Sequence, residues 1–331
     1  MIKERLLYVD SLRGLCIILI VALHSKLTII NDDFNLMLIN MELPSFFFLS
    51  GLFFKRYGSF KEFFVKKVNH LVVPFVFFSY IPFCLFAYFY NDRYSDPIFY
   101  LAATIKPYNE PLWFVRSLFF TYLIYYVIDK YTERRSHWIQ LLVIGIMVLV
   151  TWVIDIEYRK RLDVYPFLND CLFIVKDVLT SIMVLPYFYL AQQIKKRGWL
   201  NFKFNLKRTI LISSVALVMA YLLKQNHFGY YYAQYGDNIL FQYMSSICSI
   251  IAFGVLFAKF KYTKLLQFFG RYSLIVLGCH LVPIIILDTN FWPPRYIVFV
   301  ITFILMFPCI YFFKSYFPKF TAQEELFKSK S

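Results

Sequence analysis

The sequence predicts an all-α polytopic membrane protein with about ten transmembrane helices and both termini in the cytoplasm. Three observations predict it. The 331-residue chain is 60% hydrophobic with mean hydropathy +0.58, above the roughly half-apolar composition of soluble domains. Apolar runs long enough to cross a bilayer recur from end to end. Basic residues collect in every second connection between those runs, as they do in cytoplasmic loops.

The first run, 12–30, opens in VDSLRGLCIILIVALHS (9–25) and carries Arg13 at its mouth and His24 far along it. The second, 36–54, contains Glu42 within ELPSFFFLSGLFF. A basic segment then leads into the third run, 71–90. In KRYGSFKEFFVKKVNHLVVPF (55–75), Phe60, Phe63, Phe64 and Val68 share one face, opposite Lys61, Glu62, Lys66 and Lys67. Such a segment suits an interfacial helix on anionic lipid or a phosphate-binding rim. The fourth run, 112–128, starts in PLWFVRSLFF with Trp113 at the interface and Arg116 just inside. The fifth is 138–155. The sixth, 171–191, holds Lys176 and Asp177, adjacent charges expected to neutralise each other. Runs 209–223 and 239–258 carry no charged residue. The ninth, 272–288, places His280 within SLIVLGCHLVP, and the tenth is 296–313.

With the N-terminus inside, the clusters Lys55–Arg56, Lys66–Lys67, Lys195–Lys196–Arg197 and Lys259–Lys261–Lys264 all fall on the cytoplasmic side, and acidic residues such as Asp32 and Asp33 lean outward. The formal charge of +15 is therefore spread over short loops rather than gathered in a nucleic-acid patch. The first run lacks a small-residue cleavage site and is expected to be retained. The chain is read as one membrane domain, 1–331. Six cysteines without a CxxC pair read as buried free thiols, and no metal-ligand spacing or glycine-rich phosphate loop is present. Matched Pro/Gly interruptions in two halves, the mark of inverted-repeat transporters, are absent.

Charged and ionisable groups inside a bilayer cost about 2.5–3.5 kcal/mol each and point to function. Arg13 and His24 are eleven residues apart, which puts them about 20° apart around a helix and about 16 Å apart along it. Glu42 lies as far beyond Asp33 as His24 lies before it. An antiparallel hairpin centred on Asp33 would bring the two to one depth, where the carboxylate could orient the histidine or only neutralise it. His280 is a second buried histidine, able to hydrogen-bond across helices or line the same cavity. Arg116 needs an anion, a lipid phosphate or a carboxylate. His70 ends the basic segment, while His137 and His227 read as loop residues.

DSLRGLCIILIVALHS resembles the opening signature of acyltransferase family 3, the integral-membrane O-acyltransferases. ELPSFFFLSGLFF, KKVNHLVVPF, PLWFVRSLFF and RYSLIVLGCH are similar to later patterns of that family, in the same order. The finer resemblance is to the fucose 4-O-acetylase-like group. The resemblance implies a multi-pass enzyme of the bacterial inner membrane. Such an enzyme moves an acyl group, usually acetyl, from cytoplasmic acyl-CoA to a sugar hydroxyl of a surface polysaccharide or its lipid-linked precursor. It holds no bound cofactor and works beside membrane lipids and polysaccharide-assembly proteins. The family's first-helix arginine and histidine fall on Arg13 and His24. Its basic-loop arginine pair falls on Lys67 and His70, a departure, because a lysine offers a point charge where arginine offers a fork.

The expectations are therefore specific. His24 is the general base and Glu42 its orienting partner. Arg13, Lys67, His70 and Arg116 bind the phosphates of acyl-CoA, and Trp113 and His280 contact the acceptor. The pantetheine arm would run along Ile17, Ile20 and Val21. Direct acylation of His24 is a second route, and a polysaccharide or lipid-linked sugar exporter is the competing class.

Overall fold

The computed structural model describes residues 7–80, 110–132, 136–162, 173–201, 204–225, 229, 234–260 and 263–327. Among them every long element is a helix. The helices are α1 (Leu7–His24), α2 (Asp32–Leu52), α3 (Phe60–Lys67), α4 (Trp113–Thr132), α5 (His137–Leu162), α6 (Phe173–Met183), α7 (Leu185–Lys196), α8 (Leu206–Leu222), α9 (Ile239–Lys259), α10 (Lys264–Arg271), α11 (Ser273–Cys279), α12 (Leu281–Asn290) and α13 (Arg295–Tyr316). Among the described residues six spans, with Ser273–Asn290 counted as one, are long and apolar enough to cross a membrane. The α6–α7 pair makes a seventh, bent by 41°.

Local chemistry explains where these elements start and stop. α1 begins earlier than the hydropathy pattern suggests and ends at His24, where Lys26 turns left-handed (φ 56°) and the Ser25 hydroxyl donates to the Val21 carbonyl. Asn35 clips the following turn, accepting from Ile29 N–H and donating to the Leu27 carbonyl. Asn31 then caps α2 by accepting from Phe34 N–H at 2.8 Å.

The basic segment and the third run form one rod. α3 passes through a π turn at Val68–Val72 into helix over 73–80. A π turn adds a residue to the helical repeat and re-aims side chains, often at functional sites. Residues 81–90 of that run, with the acidic stretch 92–96, Cys84, Cys171 and His227, lie outside the described residues. The sixth run is not one straight helix, because Pro186 at the start of α7 accompanies the bend. The ninth run breaks at His280, between α11 and α12. Pro283 lacks an N–H to meet the carbonyl one turn back and crowds it sterically.

Close backbone contact joins α1 to α10. A Cβ on Gly14 would collide with the Leu266 carbonyl, and one on Gly270 with the Asp10 carbonyl. Small residues that let helix backbones touch are the usual device of membrane packing. The Ser11 hydroxyl and the Thr263 hydroxyl bond each other across the same contact. Elsewhere Tyr122 donates to the Ser50 carbonyl at 3.0 Å, Gln192 donates to the Gly51 carbonyl, and Ser246 donates to the Asn40 carbonyl at 2.5 Å.

The core is aromatic. Phe54 sits edge-on to Phe63, Tyr125 and Phe188, with ring centroids 4.9–6.0 Å apart. Such pairs add roughly 0.5–1.5 kcal/mol beyond burial. On the outside, α5 exposes Leu142, Ile146, Leu149 and Val153, and α13 exposes Val300, Ile304 and Leu305. An apolar exterior over a packed polar and aromatic interior is what a lipid solvent selects.

Candidate active site

α1, α2, α4, α11 and the π turn enclose a cavity of about 190 Å³. Its lining brings Arg13 of α1 together with two basic residues far along the sequence, Lys67 at the end of α3 and His70 in the π turn. Aromatic faces surround the charges. The Lys67 ammonium stands 3.4 Å from the centroid of the Tyr122 ring, and the Arg13 guanidinium lies 5.9 Å from that of Phe53. Rings of this kind attract a cation without neutralising it.

Lys67 is buried and meets no carboxylate among the described residues. Burial pulls its ammonium down to about 7. Burial, and next the Lys67 charge, hold the His70 imidazole below its ordinary value. Three basic side chains, one of them buried, thus line one cavity.

From this basic floor the cavity follows three helical stripes. On α1 the lining residues Arg13, Ile17 and Ile20 are spaced four and three apart, and His24 is the next position on the stripe. Ile17 and Ile20 thus stand where the sequence places the pantetheine arm, whereas Val21 is not among the lining residues. On α11 the stripe is Ser273, Leu274 and Leu277, and the next turn carries His280. On α2 it is Ser50 and Phe46, with Glu42 one turn further. All three stripes lead from the basic floor toward the two histidines, which stand one turn past the lining.

There His280 Nε2 and His24 Nδ1 are 3.0 Å apart, with ring centroids 5.0 Å apart. His280 is fully buried and its Nδ1 lies 2.9 Å and 3.1 Å from the Val276 and Leu277 carbonyls. His24 keeps an exposed face.

This arrangement corrects the expected His24–Glu42 pair. Cys16 faces Ser45, so His24 stands opposite position 37 and Glu42 opposite position 19. Five residues of helix, about 7.5 Å, separate their levels. The hairpin turns near residue 30 because α1 stops at His24 and α2 starts at Asp32, not at Asp33 as the charge pattern suggests. Glu42 is buried, and its Oε2 has no hydrogen-bond partner among the described residues.

Arg116 is also corrected. Its Nε lies 2.7 Å from Asp177 Oδ2 in an ion pair between α4 and α6, and its guanidinium covers the Phe75 ring at 5.4 Å. The pair is close, yet it lacks the alignment of a hydrogen bond. Arg116 lines a separate apolar recess, about 240 Å³, with Phe75 and Phe119. Asp177 is therefore matched by Arg116 rather than by Lys176 alone, although Lys176 contributes a weaker attraction. Trp113 is buried against Phe114 and does not line the cationic cavity. Phe114 and Val115 take that place. Tyr122, Ser50, Phe46 and Ser273 are lining residues that sequence reasoning missed. A hint existed for Phe46 and Ser50, which share the four-residue spacing of Glu42. Nothing local marks Tyr122.

The fold is a bundle of apolar helices, the class of a multi-pass membrane protein, with a cavity lined by basic residues leading toward a histidine pair. The model of acyltransferase family 3, described as an acyltransferase domain, matches residues 6–314, and the chain belongs to that family. It is a multi-pass membrane O-acyltransferase. No curated protein and no solved structure matches it.

Proposed function

We propose that the chain transfers an acyl group, most simply acetyl, from cytoplasmic acyl-CoA to a sugar hydroxyl of a surface polysaccharide or its lipid-linked precursor. The single observation that carries this reading is the convergence of Arg13, Lys67 and His70 on one cavity whose lining leads to His24. Phosphates of the donor meet the basic side chains, and the slender pantetheine arm follows Ile17 and Ile20. The thioester then reaches the His24 end.

His24 takes the proton of the acceptor hydroxyl as its oxygen attacks the thioester carbonyl carbon. The C–S bond breaks, and the departing thiolate recovers that proton from His24 to leave as CoA. General-base help of this kind supplies about 10²–10⁴-fold. Within this reading the protein crosses the bacterial inner membrane ten times as one domain with both termini inside. Its Arg13 end faces the cytoplasm and its acceptor is a glycan handled by polysaccharide-assembly proteins.

The test is purified protein in lipid nanodiscs with radiolabelled acetyl-CoA and membrane glycolipid. CoA release that depends on glycolipid, with label appearing on the sugar, is the expected result. His24→Ala should elute as folded protein and lose at least 100-fold in transfer. Near-native transfer by that variant removes His24 from the chemistry. Glycolipid translocation without CoA release would instead make the chain an exporter.

A further inference from the structure

We infer that His280 is a positioning residue that fixes the tautomer of His24, so that Nε2 is the one basic nitrogen His24 offers. The inference rests on the reading of His24 as the base, and deepens it.

The proton assignment follows from partners that can only accept. His280 Nδ1 lies within hydrogen-bond reach of two main-chain carbonyls, those of Val276 and Leu277. Carbonyl oxygens have no proton to give, so Nδ1 carries one and donates it. His280 is fully buried and meets no carboxylate among the described residues, and a second proton there would bury an uncompensated charge. It is therefore neutral, and its Nε2 is a lone-pair acceptor. The only hydrogen-bond partner of that atom among the described residues is His24 Nδ1 at 3.0 Å. His24 Nδ1 must then be the donor.

A neutral imidazole holds one proton. With that proton at Nδ1, the lone pair of His24 is at Nε2, on the ring edge away from His280. His24 is exposed as a residue, unlike the fully buried His280. When Nε2 takes the acceptor proton, the Nδ1–H bond to His280 persists and spreads the positive charge of the imidazolium. This is the task a buried carboxylate performs in a serine-hydrolase triad, here done by a neutral ring. The fold supplies the device at the helix break before Pro283. The Val276 carbonyl, which the His280 main-chain N–H already contacts at 3.0 Å, also receives the ring.

The experiment compares His280→Phe, which keeps a ring without an acceptor, with His280→Gln, which returns an acceptor near the Nε2 position. Both are assayed for kcat and for KM toward acetyl-CoA beside native protein and His24→Ala. The expected result is a loss of 100-fold or more in kcat for His280→Phe, recovery of at least tenfold by His280→Gln, and KM within twofold throughout. A kcat within threefold of native for His280→Phe, or no advantage for glutamine, overturns the inference while leaving the role of His24 standing if His24→Ala is dead. An active His24→Ala overturns the base reading itself. Folding of the variants does not limit the test. Nitrogen-15 spectra of histidine-labelled native protein, with the His24 signal identified by its loss in His24→Ala, report the tautomer directly. A proton on Nδ1 supports the inference, and a proton on Nε2 refutes it.

Discussion

His280 Nε2 and His24 Nδ1 meet at 3.0 Å across 256 residues of sequence. That contact ties the last residue of α1 to the break between α11 and α12, and it sets the upper end of a path whose lower end is cationic.

Arg13 lies on the same α1 stripe as Ile17 and Ile20 and faces the cavity floor. A hydrogen bond to a charged group contributes about 1.5–3 kcal/mol. Arg13→Ala should therefore raise KM for acetyl-CoA by about 10–100-fold, since every 1.4 kcal/mol is tenfold, with the detergent-solubilised protein still eluting as native. Arg13→Lys should recover part of the loss, because it returns charge without the bidentate fork. An unchanged KM in Arg13→Ala would remove it from the donor site.

Lys67 predicts a pH dependence. Its ammonium is pulled down to about 7 by burial, so the charge that attracts donor phosphates is present below that value and fades above it. The dissociation constant for acetyl-CoA should rise between pH 6.5 and 8.5, by at most about tenfold per unit. His70, lowered below its ordinary value and sharing the cavity, is mostly neutral throughout this range and adds little to the slope. Lys67→Arg keeps a charge at all these values and should flatten the upper part of the curve. Isothermal titration at several pH values measures it, and identical curves for the two proteins would contradict the assignment.

Arg116 and Asp177 form a buried ion pair outside the cavity. Removing one partner strands the other charge, which typically costs 3–5 kcal/mol. Arg116→Ala should lower the unfolding temperature markedly while leaving KM for acetyl-CoA near native. Arg116→Leu with Asp177→Asn should regain most of the stability. A large rise in KM at native stability would return Arg116 to donor binding.

Gly14 allows α1 to touch Leu266 of α10. Gly14→Leu forces the helices apart beside Arg13, and overpacking costs about 1–3 kcal/mol or more. The expected outcome is reduced expression and lower thermal stability, read by fluorescence-detected size exclusion. A native melting profile would show that α1 and α10 do not pack as described.

Much of this protein is written locally in its sequence. Apolar length and the Val/Leu/Ile/Phe runs make the helices, because a bilayer leaves a main chain little choice. Helical phase alone places Arg13, Ile17, Ile20 and His24 on one stripe, and the structure keeps them there. What phase cannot carry is register between helices. A shift of the α1–α2 turn from residue 33 to near residue 30 moves Glu42 about 7.5 Å away from the level of His24, and neither hydropathy nor the charge pattern locates that turn. The Asn35 bonds to Ile29 and Leu27 fix it instead.

By itself, then, the sequence determined the class of solvent, the helical content and the polar stripe of α1. Each follows from the composition and periodicity of a single segment. Tertiary structure decided the partners. It gave His24 a histidine rather than a glutamate, gave Arg116 an aspartate rather than a phosphate site, and used the π turn to bring Lys67 and His70 to one floor with Arg13. These are contacts between segments that look alike in hydropathy. Only the packing of backbones, close at Gly14 and Gly270 and broken at His280, selects among them.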